Sequence, residues 1–323
     1  MSNKSPFTEI VDEFIAFKTA GGYKYLEESR TLRKFDAFLA EQGLQAMEIC
    51  KEIMDAWCTQ GFRESRKSLS NRVAAIRQFA TYAANRGYPA AIPDVIKNSK
   101  NKLFVPYVFS HEEISRIFHE IDNLPGGRRD NSHAVYPVLF RILYGCGLRV
   151  GEALALKIKD VDLANGMLTI RHAKNDKMRL VPMSASLLRL CRHYSCECLS
   201  GVSHDEYFLR KKHGGSRSAR TVGQTFRTIL WRSGIPYCGK GKGPRLHDVR
   251  HTFCCHALKQ MSDNGIDLYC SLPVLSAYLG HSSIKATEQY LRLTMEIYPE
   301  MAGRMEMFTG GVYPEVLLND RNN

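Results

Sequence analysis

Through most of this chain apolar residues recur every three to four positions, the period of a helix with one buried face, but between Tyr88 and Ser110 the pattern lapses. Pro89, Pro93 and Pro106 remove backbone donors and bar helix there, and Lys97, Lys100 and Lys102 stand between them among Asn and Ser. A chain broken in this way is expected to close over two cores rather than one. The boundaries read as a helical body at residues 1–88, a basic linker at 89–109, a larger body at 110–310 and a tail at 311–323. The length agrees, because 323 residues allow about two domains, each able to bury a core without disulfide or metal.

The first body carries three helical stripes: Phe7, Ile10, Val11, Phe14 and Ile15; then Leu32, Phe35, Phe38 and Leu39; then Val73, Ile76, Phe79, Ala80 and Ala83. A small helical bundle is the expectation. Arg63, Arg66, Lys67, Arg72 and Arg77 gather near the start of its last helix, as a docking place for phosphates or as a solvated helical face.

The second body opens with Ser110 and, three residues on, Glu113, a capping box ahead of Ile114, Ile117 and Phe118. Helical patterns follow at about 133–145 and 150–157. Met167 to His172 and Met178 to Met183 then read as two short strands turning around Asn175 and Asp176, with helices resuming from Ser184. The fold class is therefore mainly α with one small β-hairpin, and the hairpin must pack on helices or serve a ligand, since an isolated ribbon is marginal in water.

Charge narrows the partner. The formal net charge is +12, and between Phe208 and Arg250 eleven Lys and Arg residues face one acid, Asp248, so an anion-binding stripe and a nucleic-acid partner are expected. No apolar run approaches the ~18 residues of a membrane span, and no leader pattern opens the chain, so a soluble cytoplasmic protein with no membrane partner is expected. Ten cysteines without paired CxxC knuckles read as reduced thiols, with neither a disulfide framework nor a metal site.

Three separated segments carry chemistry. In the first, Leu143 to Glu152, Gly145 and Gly147 break one helix and Arg149 opens the next, where free backbone donors suit a phosphate; a surface ion pair with Glu152 is the plainer role. In the second, Arg245 to Thr252, His247 and Arg250 share a helical face and can reach one oxyanion, while the neighbouring His251 reads as a packing residue. In the third, His281 follows a Leu-Gly break and Tyr290 stands nine residues on, across a helical stretch from Ile284 to Gln289.

Together these segments resemble the boxes of the tyrosine recombinase (phage integrase) family, over about residues 137–293. The family's GLRxxEALALKxxD is matched from Gly147 to Asp160, its HDLRHTF from His247 to Phe253, and its LGHSSIxxTxxY from Leu279 to Tyr290. The family also carries a lysine in a hairpin between the first two boxes; aligning Arg-Leu-Val-Pro at 179–182 gives that place to Lys174, with Lys177 as the competing hairpin lysine. The chain departs from the family pattern in following Tyr290 with Leu291 and Arg292, where Thr-His is usual, and in a Gly- and Arg-rich loop from Asn123 to His133.

The resemblance, closest to Xer and transposon integrases, implies a helical core-binding (SAM-like) domain followed by a catalytic domain. It implies a mobile-element enzyme that cleaves and rejoins duplex DNA through a 3′-phosphotyrosine intermediate. Arg149, Lys174, His247, Arg250, His281 and Tyr290 would be the catalytic set, with no cofactor, no metal and activity in chelator. The implied partners are double-stranded DNA with paired recombination sites, a tetramer of protomers on that DNA and accessory DNA-bending proteins. Two rivals share features: a type IB topoisomerase-like relaxing enzyme, and a DNA-binding protein that has lost catalysis. The apolar residues beyond Tyr290 (Met295, Ile297, Met301, Met305, Phe308) are expected to cover a core, either their own or a neighbour's.

Overall fold

The computed structural model describes residues 4–23, 25–44, 46–96, 105–127, 130–171, 178–236, 243–280 and 285–298. The chain divides into two compact units, Met1–Phe104 and Val105–Asn323.

The first unit holds α1 (Thr8–Ala20), α2 (Leu26–Glu41), α3 (Lys51–Cys58) and α4 (Arg66–Asn85). Its core is the three expected stripes: Phe7, Phe14, Phe35 and Phe79 are fully buried, and the first three each lie within 5.8–6.3 Å of the Phe79 ring. The edge-on and tilted geometry lets the positive rim of one ring meet the negative face of another. Helix α3 was not among the expected stripes, because eight residues with one buried side chain, Met54, leave no period to read. The segment after α4 stays on this unit: Ile49 exchanges backbone hydrogen bonds with Pro89 and Ala91, and Ile96 O accepts from Ser70.

Two of the five basic residues gathered near α4 turn inward. Arg72 forks onto Glu64 at 2.9 and 2.7 Å, donates to the carbonyls of Trp57 and Thr59, and stacks over the Trp57 ring; Arg77 donates to Pro93 O. Arg63, Arg66 and Lys67 remain exposed.

The second unit contains α5 (His111–Asp122), α6 (Ser132–Gly145), α7 (Val150–Ala155), a 3-10 turn at Ile158–Asp160, and strands β1 (Val161–Asp162), β2 (Met167–Ile170) and β3 (Arg179–Pro182). Then come α8 (Ala185–Cys198), α9 (Ala219–Arg232), α10 (Asp248–Asp263), α11 (Leu268–Leu279) and α12 (Lys285–Ile297). The capping box at the start of α5 is complete: Ser110 Oγ accepts from Glu113 N and Glu113 accepts from Ser110 N. The hairpin forms with Ile170 opposite Arg179 and Met167 opposite Pro182, and it is the larger part of a three-stranded antiparallel sheet in the order β1-β2-β3. Asn175 and Asp176, expected at its turn, lie outside the described residues, as do Met301, Met305 and Phe308.

One buried cluster joins α5, α6, the sheet, α8 and α9; a smaller one holds α10, α11 and α12 together through Cys254, Leu258, Leu272, Leu275, Leu279 and Tyr290. The basic stripe of the sequence is divided in space. Arg217 is buried against Ser132 and Asn131 beneath the start of α6 and over the Tyr136 ring, whereas Arg220, Arg227 and Arg232 stand exposed on α9. The described cysteines are free thiols. No helix among the described residues is long and apolar enough to cross a membrane.

Candidate active site

Helix α6 stops at a turn that only glycine fits. Gly147 has φ +59°, and a Cβ there would lie 2.4 Å from Phe253 Cδ1, inside any permitted contact. The turn aims the Gly147 carbonyl inward and places Arg149 immediately before α7, with Arg149 N donating to Glu152 Oε2 at 3.0 Å and Arg149 Nη1 to Oε1 at 2.8 Å. The plainer role for Arg149 is thus real, yet its guanidinium keeps 31% of its surface, while Glu152 keeps 5%.

Arg250, one turn into α10, is almost wholly buried and bridges two of the sequence segments. Nη1 donates to Gly147 O at 2.7 Å and Nη2 to Leu279 O at 2.8 Å, so one planar guanidinium ties α10 to the turn after α6 and to the last residue of α11. Burial lowers its pKa, and the neighbouring charge of Arg149 adds to this; arginine's reserve keeps the cation.

Tyr290 on α12 arrives at the same place. The Arg250 guanidinium and the Cys254 thiol are charged and polar groups that act on its hydroxyl, and its ring leans on His251 at 5.3 Å between centroids. The residue is only 6% exposed. Burial, reinforced by Cys254, drives the phenol's pKa above its ordinary value, and the opposing pull of Arg250 does not overcome that. In this conformation the phenol is protonated and covered.

His247 immediately precedes α10; the residue is exposed overall, but its ring is partly covered by protein and packs edge-on against His251 at 4.8 Å. Desolvation by the surrounding protein, followed by the charges of Arg250, Arg149 and Arg245, lowers its pKa to about 4, so it is neutral at pH 7 and able to accept a proton. His251, read from the sequence as a packing residue, does pack, but between His247 and Tyr290.

The structure therefore brings Arg149, His247, Arg250 and Tyr290 together. Lys174 and His281 lie outside the described residues. Two participants had no role assigned from sequence. Glu152 is the carboxylate around which the arginines gather; it figured only as a surface partner of Arg149. Burial would raise its carboxyl, but hydrogen bonds from Arg179 and from the backbone and side chain of Arg149, with the charge of Arg179, hold it below the ordinary range. Arg179, at the start of β3, is the second, and it donates to Glu152 at 2.9 Å.

A phenol near one clamped arginine, with a second arginine and a neutral histidine beside it, is an arrangement that could act on a phosphodiester. The match of this helix-rich unit to a family model, together with its relatives, makes the chain a DNA breaking-rejoining enzyme of the tyrosine recombinase class. It belongs to the phage integrase family, whose model matches residues 107–296. It is 32% identical over 308 residues to the protein y4rB of Sinorhizobium fredii, covering 94% of this chain and 98% of that one. It is 29% identical to the tyrosine recombinase XerC of Xanthomonas axonopodis pv. citri, covering 72% and 69%. Among solved structures, a lambda integrase tetramer bound to a Holliday junction superposes with a TM-score of 0.59 at 16% identity, over 90% of this chain and 78% of that one; at that identity the likeness concerns the fold.

Proposed function

We propose that this recombinase joins itself to DNA through Tyr290 and exchanges strands between paired duplex sites. The Tyr290 oxygen attacks the scissile phosphorus, the bond to the 5′ oxygen breaks, and the DNA 3′ end is held as a phosphotyrosine ester. Arg149 and Arg250 carry the charge that builds on the non-bridging oxygens, with His281 adding a hydrogen bond. His247, neutral at pH 7, receives the phenol proton, and Lys174 supplies the proton that the departing 5′ oxygen takes up. A 5′ hydroxyl from the partner strand then reverses the step, and since the ester conserves the bond energy, no nucleotide cofactor is consumed.

The observation that carries this reading is the Arg250 guanidinium, pinned between the Gly147 and Leu279 carbonyls with the Tyr290 phenol within reach of its charge. The reading includes a tetramer of protomers, as in the lambda integrase tetramer bound to a Holliday junction, working on paired sites. It also includes accessory DNA-bending proteins and a cytoplasmic setting, neither of them drawn from that structure. Residues 1–88 form the core-binding domain and 110–310 the catalytic domain, joined by a basic linker at 89–109 and followed by a tail at 311–323. Loss of catalysis is disfavoured by the assembled arginines, histidine and phenol, and pure relaxation of supercoils, which would use the same groups, by the match to the recombinase family.

The test is covalent capture. Purified protein is incubated with a pool of nicked duplexes of randomised sequence, where loss of a short fragment traps the ester, and the modified peptide is identified by mass spectrometry. Adduct on Tyr290, absent from Tyr290→Phe, is expected; adduct that persists in that variant removes Tyr290 as the nucleophile.

A further inference from the structure

Arg179 lies at the head of β3, and its side chain is only 10% exposed. Its fork meets the Glu152 carboxylate at both oxygens, Nη1 to Oε1 at 3.2 Å and Nη2 to Oε2 at 2.9 Å, while Nε donates to Tyr278 O at 2.9 Å. The same carboxylate accepts from Nη1 and the backbone N of Arg149 and lies 3.9 Å from Nη1 of Arg250. Arg179 is therefore in direct contact with the group that orients Arg149.

Its other end reaches α11. The final carbonyls of a helix have no partner within it. At the end of α11, Arg179 takes the carbonyl of Tyr278 and Arg250 takes that of the next residue, Leu279. Gly280 follows with φ +66°, and a Cβ there would come within 2.8 Å of Arg179 Nη1 and 3.1 Å of its Cζ. The guanidinium thus occupies the space that glycine leaves empty. One side chain fastens the sheet, the carboxylate beside Arg149, and the helix end that anchors Arg250. Lysine cannot duplicate this, because an ammonium offers a point charge without the planar fork and the separate Nε donor.

We infer that Arg179 is a positioning residue: through Glu152 and the end of α11 it holds Arg149 and Arg250 in the spacing that the scissile phosphate requires. The inference rests on the roles given above to Arg149, Arg250 and Tyr290. With its polar atoms directed inside the protein, Arg179 contributes to the rate of cleavage and little to the hold on DNA.

The test uses the full chain and the nicked duplex that the wild-type protein traps most efficiently from the randomised pool. Single-turnover adduct formation, equilibrium binding of the uncleaved duplex and thermal unfolding are measured for Arg179→Met, Arg179→Lys and Glu152→Gln. A displacement of about 1 Å in a catalytic group can cost on the order of a hundredfold. On that scale Arg179→Met is expected to slow adduct formation roughly 30- to 100-fold, with binding changed less than about threefold. Combining it with Glu152→Gln should slow the reaction by less than the product of the two single effects, since the pair shares one contact.

The pH profile gives a readout that loss of fold would not. Glu152 faces Arg149 from α7, Arg179 from β3 and Arg250 from α10, and of these Arg179 contributes most to keeping the carboxyl ionised. Removing it lets burial raise that carboxyl, so the acid limb of the cleavage profile should move to higher pH. If Arg179→Met does not fold, Arg179→Lys, which keeps charge and most of the volume, is expected to bind normally and cleave about tenfold slower. Wild-type rates in the folded Met variant, or in the Lys variant where Met does not fold, overturn the inference. So do rate, binding and melting temperature falling in proportion. If instead wild-type protein yields no adduct, or Tyr290→Phe yields one, the fault lies with the parent reading.

Discussion

Replacing Arg250 by methionine should unfold the catalytic unit more readily as well as stop the reaction. Arg250 is 2% exposed and its two hydrogen bonds, at 2.7 and 2.8 Å, cap the carbonyls of Gly147 and Leu279, both buried residues. Methionine fills much of the volume and relieves the repulsion from Arg149, which works in favour of the variant. Against it stand two buried carbonyls left without donors, each costing about 1–3 kcal/mol. Glu152 and the Tyr290 hydroxyl lose a cation as well. Removing one partner from a buried ionic cluster costs about 3–5 kcal/mol where the other stays behind. Taking the relief into account, a loss of about 2–4 kcal/mol is expected. For a unit of about two hundred residues that is a fall of roughly 4–16 °C in melting temperature. Differential scanning calorimetry at pH 7 measures it, with Arg250→Lys as the control that keeps a donor. A methionine variant within about 0.5 kcal/mol of wild type would show that the carbonyls find other partners and that the clamp is not structural.

Two further outcomes follow from the same geometry. Gly147→Ala sets a Cβ against Phe253 at a positive φ, and a loss of about 2–4 kcal/mol, combining backbone strain with overpacking, is expected in chemical denaturation; an unchanged midpoint would show that the turn relaxes. His256, stacked on His111 at 4.0 Å and sharing a hydrogen bond of 2.8 Å with Tyr144, has its pKa lowered to about 4, first by burial and then by His111. Its folded value lies below its unfolded one of about 6.5, so the unfolded chain binds the extra proton and stability falls as pH drops from about 6.5 towards 4. His256→Gln should flatten that fall by up to about 1.4 kcal/mol per pH unit; denaturation midpoints that drop as steeply in the variant would refute it.

Much of this architecture was legible because helices of a dozen residues write a period. The stripes of α1, α2 and α4, the Ser110 cap and the paired strands all appear where the sequence puts them. Strand β1 and helix α3 did not show, since two residues, or eight with a single buried side chain, are too short to carry a pattern. Charge counting misled where a guanidinium found partners within its own unit: Arg72 and Arg77 bond backbone carbonyls, and Arg217 bonds the Ser132 and Asn131 side chains. The site was legible as three boxes, yet the residue joining them was not. Arg179 meets partners 27 and 99 positions away, and no local spacing announces such a contact.

The position of Arg250 bears on how such a gene ages. In many enzymes a spent active site leaves a sound scaffold that can be kept for its grip on DNA. Here the cation to which we give a part in the chemistry is also the rivet between α10, the turn after α6 and the end of α11, so a copy that drifts at this codon weakens its body together with its trade. Inherited relics that keep their shape should therefore be silenced at Tyr290 or His247, with Arg250 intact.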